Sequence, residues 1–396
     1  MKSIAIVGGG PAGATAAEKL LTHRPANRAF TVTVFEERPG WEKPCGGGIT
    51  AKAARRYPFL AETQTPHISI NEIEIAAANG ATLQFRLRIP VLVYSRKHLN
   101  GLLLRRAENA GARIISDRII SFERAEGGWR LRGRNGEYSC DFMILAAGAR
   151  SHLRSLLAPP IEARDLLLTF GYFTPPAENL LRVQFFEDFE GYAWAFPRPG
   201  HVSVGVAGHA SDQDMAGLKR RLSEFMRAYG YISEGAPIFS HILPALGRAS
   251  WRNLALAGDG WAVAGDAAGL VDPLTGEGIY FAMRSGDLLA GAILAGRPEE
   301  YSGNVWREFG SRHAMAAALA PRFYRSNFWG KPVTTRMVEF CSQSPSFMVL
   351  LQDLFEGSQA YSGLRRRVYK ALGKGITEMA AGVVKNRFIP GIASHE

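Results

Sequence analysis

Two periodicities of apolar residues alternate along the chain, and the switches between them divide it. Short unbroken apolar runs at residues 4–7, Thr31–Phe35 and 142–146 have the length and continuity of strands buried on both faces of a parallel sheet. A helical pattern follows the first run over residues 12–21, and another spans residues 279–295. Elsewhere the period is two. Residues 68–88 (ISINEIEIAAANGATLQFRLR) and 181–208 (LRVQFFEDFEGYAWAFPRPGHVSVGVAG) alternate apolar and polar side chains around Asn-Gly and Pro-Gly turns. That pattern predicts an antiparallel sheet, interrupted by an amphipathic helix over Met215–Tyr229. From Tyr301 onward the pattern is largely helical, with Lys and Arg set among Phe, Trp, Leu and Met, and no internal repeat occurs.

Glycines punctuate the parallel-strand segments. The first run leads into GGGPAG, where Gly8 allows a tight turn and Gly10 lets backbone approach a pyrophosphate, while Gly13 lets helix pack closely on strand. Pro11 suits the first turn of a helix, and with Ala12 it opens a segment whose free N–H groups and dipole face the phosphates. The second run ends at Glu36, about twenty residues on, where a carboxylate accepts from ribose hydroxyls. A third piece, DFMILAAGARSHLR, closes its strand on Gly148. The fourth, residues 265–287, is the most informative: Gly265 and Asp266 are placed for sugar or ribityl hydroxyls. Pro273, Gly276 and Gly278 then shape a close approach to a flat ring before a helix opens at Ile279. Together the first and fourth pieces read as two halves of one FAD site. The fold predicted is α/β: a doubly wound Rossmann-type FAD-binding lobe (residues 1–60, 95–155 and 250–300) interleaved with an antiparallel-sheet substrate lobe (61–94 and 156–249), plus a helical C-terminal region (301–396).

Composition narrows the setting. With 396 residues, 46% apolar and 21% charged, the chain is ordinary for a globular protein of two lobes. No apolar run reaches the roughly 18 residues of a membrane span, and the first strand begins too early for a signal peptide. Cys45, Cys140 and Cys341 are few and scattered, which points to a reducing cytoplasm and away from a disulfide framework or metal cluster. The net charge of +11 suits an anionic membrane surface or a phosphorylated substrate. The basic residues carry no nucleic-acid-binding signature, and only Arg365–Arg366–Arg367 form a run. Peripheral contact with the inner face of a membrane is therefore an expectation, while oligomeric state is left open.

In GYAWAFP, the side chains of Tyr192, Trp194 and Phe196 share one face of a strand that ends at Pro197, an aromatic wall suited to a flat or greasy substrate if it meets the flavin, or a plain sheet core if it does not. Cys45 sits in PCGGG, whose glycines allow the chain to wrap closely round a ligand.

These segments resemble the para-hydroxybenzoate hydroxylase-like flavoproteins and, more narrowly, the geranylgeranyl reductase family. KPCGGGIT is similar to the loop after that family's second strand, GYAWAFP to its Y-x-W-x-F-P motif, and GDAAGLVDPLTGEGIYFAMRSG to its flavin-ring segment. SRKHLNGLLLRRAENAGA, opened by Arg96 near the flavin, and the C-terminal SPSFMVLLQDLFEGSQAYSGL are softer matches. The resemblance implies a reductase of C=C bonds in a polyprenyl chain, with hydride from reduced FAD and a proton from an acid, for which Cys45 and Tyr192 are the candidates. It also implies an electron donor, NADPH or a small redox protein. One departure counts against hydroxylation: Ala147-Gly148 stands where the related hydroxylases have Asp-Gly. A flavin-dependent halogenase or monooxygenase and a non-catalytic isoprenoid carrier are the competing readings; a halogenase needs a catalytic lysine, and neither Lys52 nor Lys97 sits in a segment that matches one.

Overall fold

The computed structural model describes residues 1–212 and 214–374. The last part of the expected helical region, residues 375–396, lies outside the described residues.

A six-stranded sheet runs in the order Ala257–Gly258, Trp261–Val263, Phe142–Leu145, Ser3–Val7, Thr31–Phe35 and Arg113–Ile115. The central pairs are parallel, with Val7 beside both Leu145 and Phe35. Ile6, Ile144 and Val34 are wholly buried because helices cover both faces, which is why these strands read as unbroken apolar runs. Helix Pro11–Thr22 packs against Ile279–Leu294 and Arg96–Asn109. Its crossing with Ile279–Leu294 depends on Gly286, where an added Cβ would stand 2.3 Å from the carbonyl oxygen of Ala12.

A three-stranded antiparallel sheet (Ile119–Ala125, Gly128–Gly133, Glu137–Cys140) lies within the stretch 95–155 and was not expected. Its strands alternate around the turn at Gly127, where φ is 77°, a short-range hairpin signal overshadowed by the neighbouring helix.

The second sheet has eight strands, in the order Ile238–Pro244, Leu166–Thr174, His201–His209, Gly191–Arg198, Leu181–Gln184, His67–Ala76, Thr82–Tyr94 and Gly48–Ile49. Two features depart from the expectation of a purely antiparallel sheet built from 61–94 and 156–249. Leu181–Gln184 runs parallel to His67–Ala76, because the chain reaches it after a passage through the first sheet and no hairpin fixes its direction. Gly48–Ile49, counted by sequence with the nucleotide lobe, pairs with Val93 and Leu92. One face of this sheet packs Ala193, Ala195, Val204 and Val206 on helix Met215–Tyr229 through Leu218, Leu222 and Phe225. The other face carries Tyr192, Trp194 and Phe196 toward the first lobe. Helices Ser311–Arg325, Val333–Gln343 and Pro345–Phe355 cover the hairpin 67–94, and Arg88 fastens them by ion pairs to Glu356 at 2.7 Å and to Asp353.

Gly286→Ala tests the helix crossing. Helix propensity alone predicts a gain of about 1 kcal/mol, whereas the contact with the Ala12 carbonyl predicts a loss of about 1–3 kcal/mol from overpacking. The steric effect is larger, so a lowered Tm is expected in thermal unfolding.

Candidate functional site

A cavity of about 670 Å³ runs between the two sheets, from the glycines of the first turn to the aromatic residues of the second sheet. At its first end Gly8 adopts φ 108°, and an added Cβ would lie 2.4 Å from the Ala146 carbonyl oxygen. Gly10 caps helix Pro11–Thr22 with extended backbone and no side-chain cap, and nothing lies within 4 Å of where its Cβ would be. The first N–H groups of the helix therefore open onto the cavity beside Pro11 and Ala12. Glu36 reaches the same space while accepting from the Gly9 N–H at 2.8 Å and the Arg38 N–H at 2.9 Å. Gly13 faces away. Its missing Cβ leaves room for the carbonyl oxygen of Gly8, which would otherwise be 2.0 Å off, so it serves helix–strand packing.

Farther along, Gly148, Arg96, Asp266, Gly276, Gly278 and Ile279 all line the cavity. Gly276 has φ 71°, and a Cβ there would meet the Tyr192 hydroxyl at 2.7 Å. Gly265 does not reach the cavity; with φ 64° it packs against Ala12. Two residues of the expected site fall elsewhere. Pro273 lines a separate surface pocket with Glu190 and Arg325, because the turn that carries it points away from the first sheet. Pro197 lies on the opposite face of its strand from Tyr192, Trp194 and Phe196, as the two-residue period demands.

The loop 42–50 crosses from one sheet to the other, and Arg198 holds it. The Arg198 side chain is fully buried. It pairs with Glu42 at 2.6 Å, donates from Nε to the Gly46 carbonyl at 3.0 Å, and donates from Nη2 to the Cys45 carbonyl. That same carbonyl accepts from the Ser203 hydroxyl at 2.8 Å. Glu42 also accepts from the Arg96 backbone at 2.7 Å and from the Ser95 hydroxyl. Glycine is needed here: a Cβ at Gly47, φ 84°, would meet the Tyr94 carbonyl at 2.2 Å, and one at Gly46 would meet the Phe196 ring at 2.8 Å. The Cys45 thiol faces the cavity. Burial pushes it up, but Arg96, Arg198, the Gly47 N–H and Lys43 together hold it below the ordinary thiol value. Tyr192 is opposite in character. Burial raises its phenol well above the ordinary range, and its hydroxyl is committed to the Thr275 carbonyl at 2.7 Å.

Several residues of the site carried no sequence signal strong enough to single them out. Lys43 pairs with Asp266 at 2.8 Å; burial raises the aspartate, and Lys43 outweighs it, so the carboxyl stays ionised. His241, 6% exposed, has neither ring nitrogen partnered, and burial pushes it down, so it faces the cavity neutral. The same cavity also carries a polar cluster. There Glu277 accepts from Thr50 at 2.7 Å and from Lys52 at 2.8 Å, and Asp272 accepts from Tyr361 at 2.9 Å. Glu277 sat within the quoted glycine segment, but nothing in the spacing showed that Thr50 and Lys52 meet it.

Whether a dinucleotide fits can be judged from these residues. A glycine cradle, an uncapped helix start, a carboxylate at the strand end and a buried, unpartnered imidazole are arranged along one cavity. These fit an elongated anionic cofactor with a planar ring. Residues 91–283 match the FAD dependent oxidoreductase family model, and residues 5–150 match an FAD-NAD(P)-binding family. Over these residues the chain is similar to FAD-dependent oxidoreductases.

Among similar proteins, the geranylgeranyl diphosphate reductase of Rhodobacter capsulatus is 27% identical over 354 residues, covering 81% of this chain and 84% of the relative. Digeranylgeranylglycerophospholipid reductase 2 of Methanothermobacter thermautotrophicus is 29% identical, over 79% and 82% of the two chains. The crystal structure of a geranylgeranyl bacteriochlorophyll reductase-like protein from Thermoplasma acidophilum superposes with a TM-score of 0.73 at 18% identity, covering 93% of this chain and all of that one. The flavin-dependent brominase Bmp2 shares the fold at a TM-score of 0.64 and 16% identity. The resemblance to the geranylgeranyl reductase family thus extends over most of the chain.

Alkylation reads the electrostatics of the thiol directly. Burial pushes Cys140 up to about 11 and Cys341 up to about 12, so near neutral pH iodoacetamide reports on Cys45. Arg198→Met removes one of the cations that lower Cys45, so the midpoint of its rate–pH profile moves to higher pH. The same change leaves Glu42 without its buried partner and costs about 3–5 kcal/mol in stability. An unmoved midpoint would show that the guanidinium does not act on the thiol.

Proposed function

We propose that this FAD-dependent oxidoreductase saturates C=C bonds of a polyprenyl chain. One observation carries the reading: the cavity that opens on the glycine cradle continues along a wall of Leu181, Val183, Phe185, Trp194, Phe196 and Phe323, where an unactivated hydrocarbon is accommodated without unpaired polar groups. Relatives named as reductases of geranylgeranyl compounds support it.

Bound and reduced, FAD supplies a hydride; everything else falls to the chain. The helix start at Gly10–Ala12 would bind the pyrophosphate through backbone N–H groups, Glu36 would take the ribose hydroxyls and Asp266 the ribityl chain. Residues 276–279 would hold the ring through their backbone. Trp194 and Phe196 hold the alkene in place and keep water out, which matters because a plain C=C bond has no polar handle for the protein to polarise. Cys45 Sγ would give the proton to the carbon of the double bond that does not receive the hydride. The resulting thiolate is favoured by Arg96, Arg198 and Lys43, so the electrostatics that lower the thiol also ease the transfer. Tyr192 is the weaker acid: its hydroxyl anchors the turn at Thr275 and its phenol is held protonated. Electrons reach the flavin from NADPH or a small redox protein.

Halogenation has less support. The brominase likeness is one of fold, and Lys52 is engaged by Glu277. Lys97 is exposed. A non-catalytic carrier has no need of the electrostatics collected around Cys45.

The test is anaerobic. Protein loaded with FAD and reduced by dithionite is expected to reoxidise on adding geranylgeranyl diphosphate, with a product heavier by pairs of hydrogens. Cys45→Ser slows that step by about 100-fold while FAD loading is retained. Because the thiol must be protonated, the wild-type rate falls as pH rises through a value below that of a free thiol. Flavin that stays reduced until oxygen enters would contradict the reading.

A further inference from the structure

An ion pair largely shielded from water stands in the turn that the proposed site gives to the flavin ring. Glu277 lies between Gly276 and Gly278 and lines the cavity. Its carboxylate accepts from the Thr50 hydroxyl at 2.7 Å and pairs with Lys52 at 2.8 Å, the Glu277 and Lys52 side chains being 13% and 18% exposed. The Lys52 ammonium lies 4.2 Å from the centroid of the Tyr280 ring and 4.4 Å from that of Phe281. Stability is a poor account of the pair. Two charges taken this far from water lose about as much hydration as their attraction returns, and apolar side chains of similar volume often serve such a place as well.

The same turn holds a second carboxylate, and its partners are neutral. Asp272 is 5% exposed and accepts from the backbone N–H groups of Leu274 and Thr275 at 2.9 and 3.1 Å and from the Tyr361 hydroxyl at 2.9 Å. His313, which also lines the cavity, donates from Nδ1 to the Phe309 carbonyl at 2.9 Å; burial pushes it down, so it adds no charge. Two carboxylates of residues 272–278 thus face one ammonium. Around Cys45 the balance is reversed, since there the cations Arg96, Arg198 and Lys43 outweigh burial and lower the thiol.

We propose that Glu277 is an electrostatic tuning residue for the flavin: its carboxylate lowers the reduction potential of the bound cofactor, and Lys52 limits the effect. Two-electron reduction of a flavin with uptake of one proton leaves a negative charge on the ring, which a nearby carboxylate disfavours and a nearby ammonium favours. A reduced ring raised in free energy is a stronger hydride donor, which suits an alkene with no carbonyl to polarise. The inference rests on FAD occupying the cavity as proposed, and it is independent of which alkene is reduced.

FAD-loaded full-length protein is reduced anaerobically in the presence of a reference dye, and the ratio of reduced to oxidised flavin is read from absorbance. Glu277→Gln is expected to shift the two-electron equilibrium about tenfold toward reduced FAD, a rise of about 30 mV. Lys52→Met, which leaves the carboxylate uncompensated, should shift it about tenfold the other way. Glu123→Gln, at an exposed site on the three-stranded sheet, should match the wild type. Opposite signs are what a field produces, whereas loosening of the turn would move both variants the same way. Unmoved potentials, or shifts of one sign in both variants, would overturn the proposal, and Glu277→Gln alone decides it if Lys52→Met does not fold. A wild type that takes up no flavin would remove the cofactor site and this proposal together. Loaded protein that shows these shifts but reduces no prenyl chain would uphold the proposal and remove only the polyprenyl reading.

Discussion

A guanidinium taken wholly out of water is the constraint on which the site rests. Arg198 lies at the end of a strand of the second sheet, yet its partners, Glu42 and the carbonyls of Cys45 and Gly46, belong to a loop that leaves the first sheet. A buried charge is tolerated only with its hydrogen bonds satisfied, so the loop cannot move away without a cost of several kcal/mol. Through that tie the two sheets are held at the spacing that leaves a cavity between them. The glycines of PCGGG are the other half of the arrangement, because a side chain at Gly46 or Gly47 would strike Phe196 or Tyr94.

Chemistry follows from the same contacts. The cations that fix the loop surround the Cys45 thiol and lower it against the effect of burial, while the hydroxyl of Tyr192 is occupied by a backbone carbonyl. Of the two acids the sequence offered, one is electrostatically prepared to lose a proton and the other is a structural tether. Lys43 acts at both places, lowering Cys45 and holding Asp266 ionised, so the loop also couples the acid to the far half of the glycine cradle. A dry wall beside such an acid is what reduction of an unpolarised double bond requires.

Much of this was legible in the chain, for definite reasons. Strands buried on both faces leave unbroken apolar runs, and a half-buried sheet leaves alternation, so residues 3–7, 31–35, 67–94 and 191–209 could be read locally. Helix Met215–Tyr229 begins and ends where its periodicity does, between the Asp214 cap and Gly230. The glycine positions could be read from the motifs they form, although most of the steric demands they answer, from Ala146 at Gly8 to Tyr192 at Gly276, come from residues distant in sequence. What escaped was long-range. Gly48–Ile49 joins the second sheet through partners more than forty residues on, and Leu181–Gln184 runs parallel to a strand about a hundred residues earlier. Arg198, His241 and the Thr50–Lys52–Glu277 cluster acquire meaning only from neighbours distant in sequence. Pro273 and Pro197 were drawn in by adjacency to true cavity residues, where the direction of a turn and the alternation of a strand put them outside it.

The central claim is that one cavity holds the flavin against both the Cys45 loop and the aromatic wall. A crystal structure of the FAD complex tests it most directly. The account predicts the pyrophosphate at Gly8–Ala12 and the ring between residues 276–279 and the face carrying Trp194, with Cys45 at its edge and the Arg198–Glu42 pair intact. A ring turned out of this space, or bound only after the 42–50 loop has left Arg198, would contradict it.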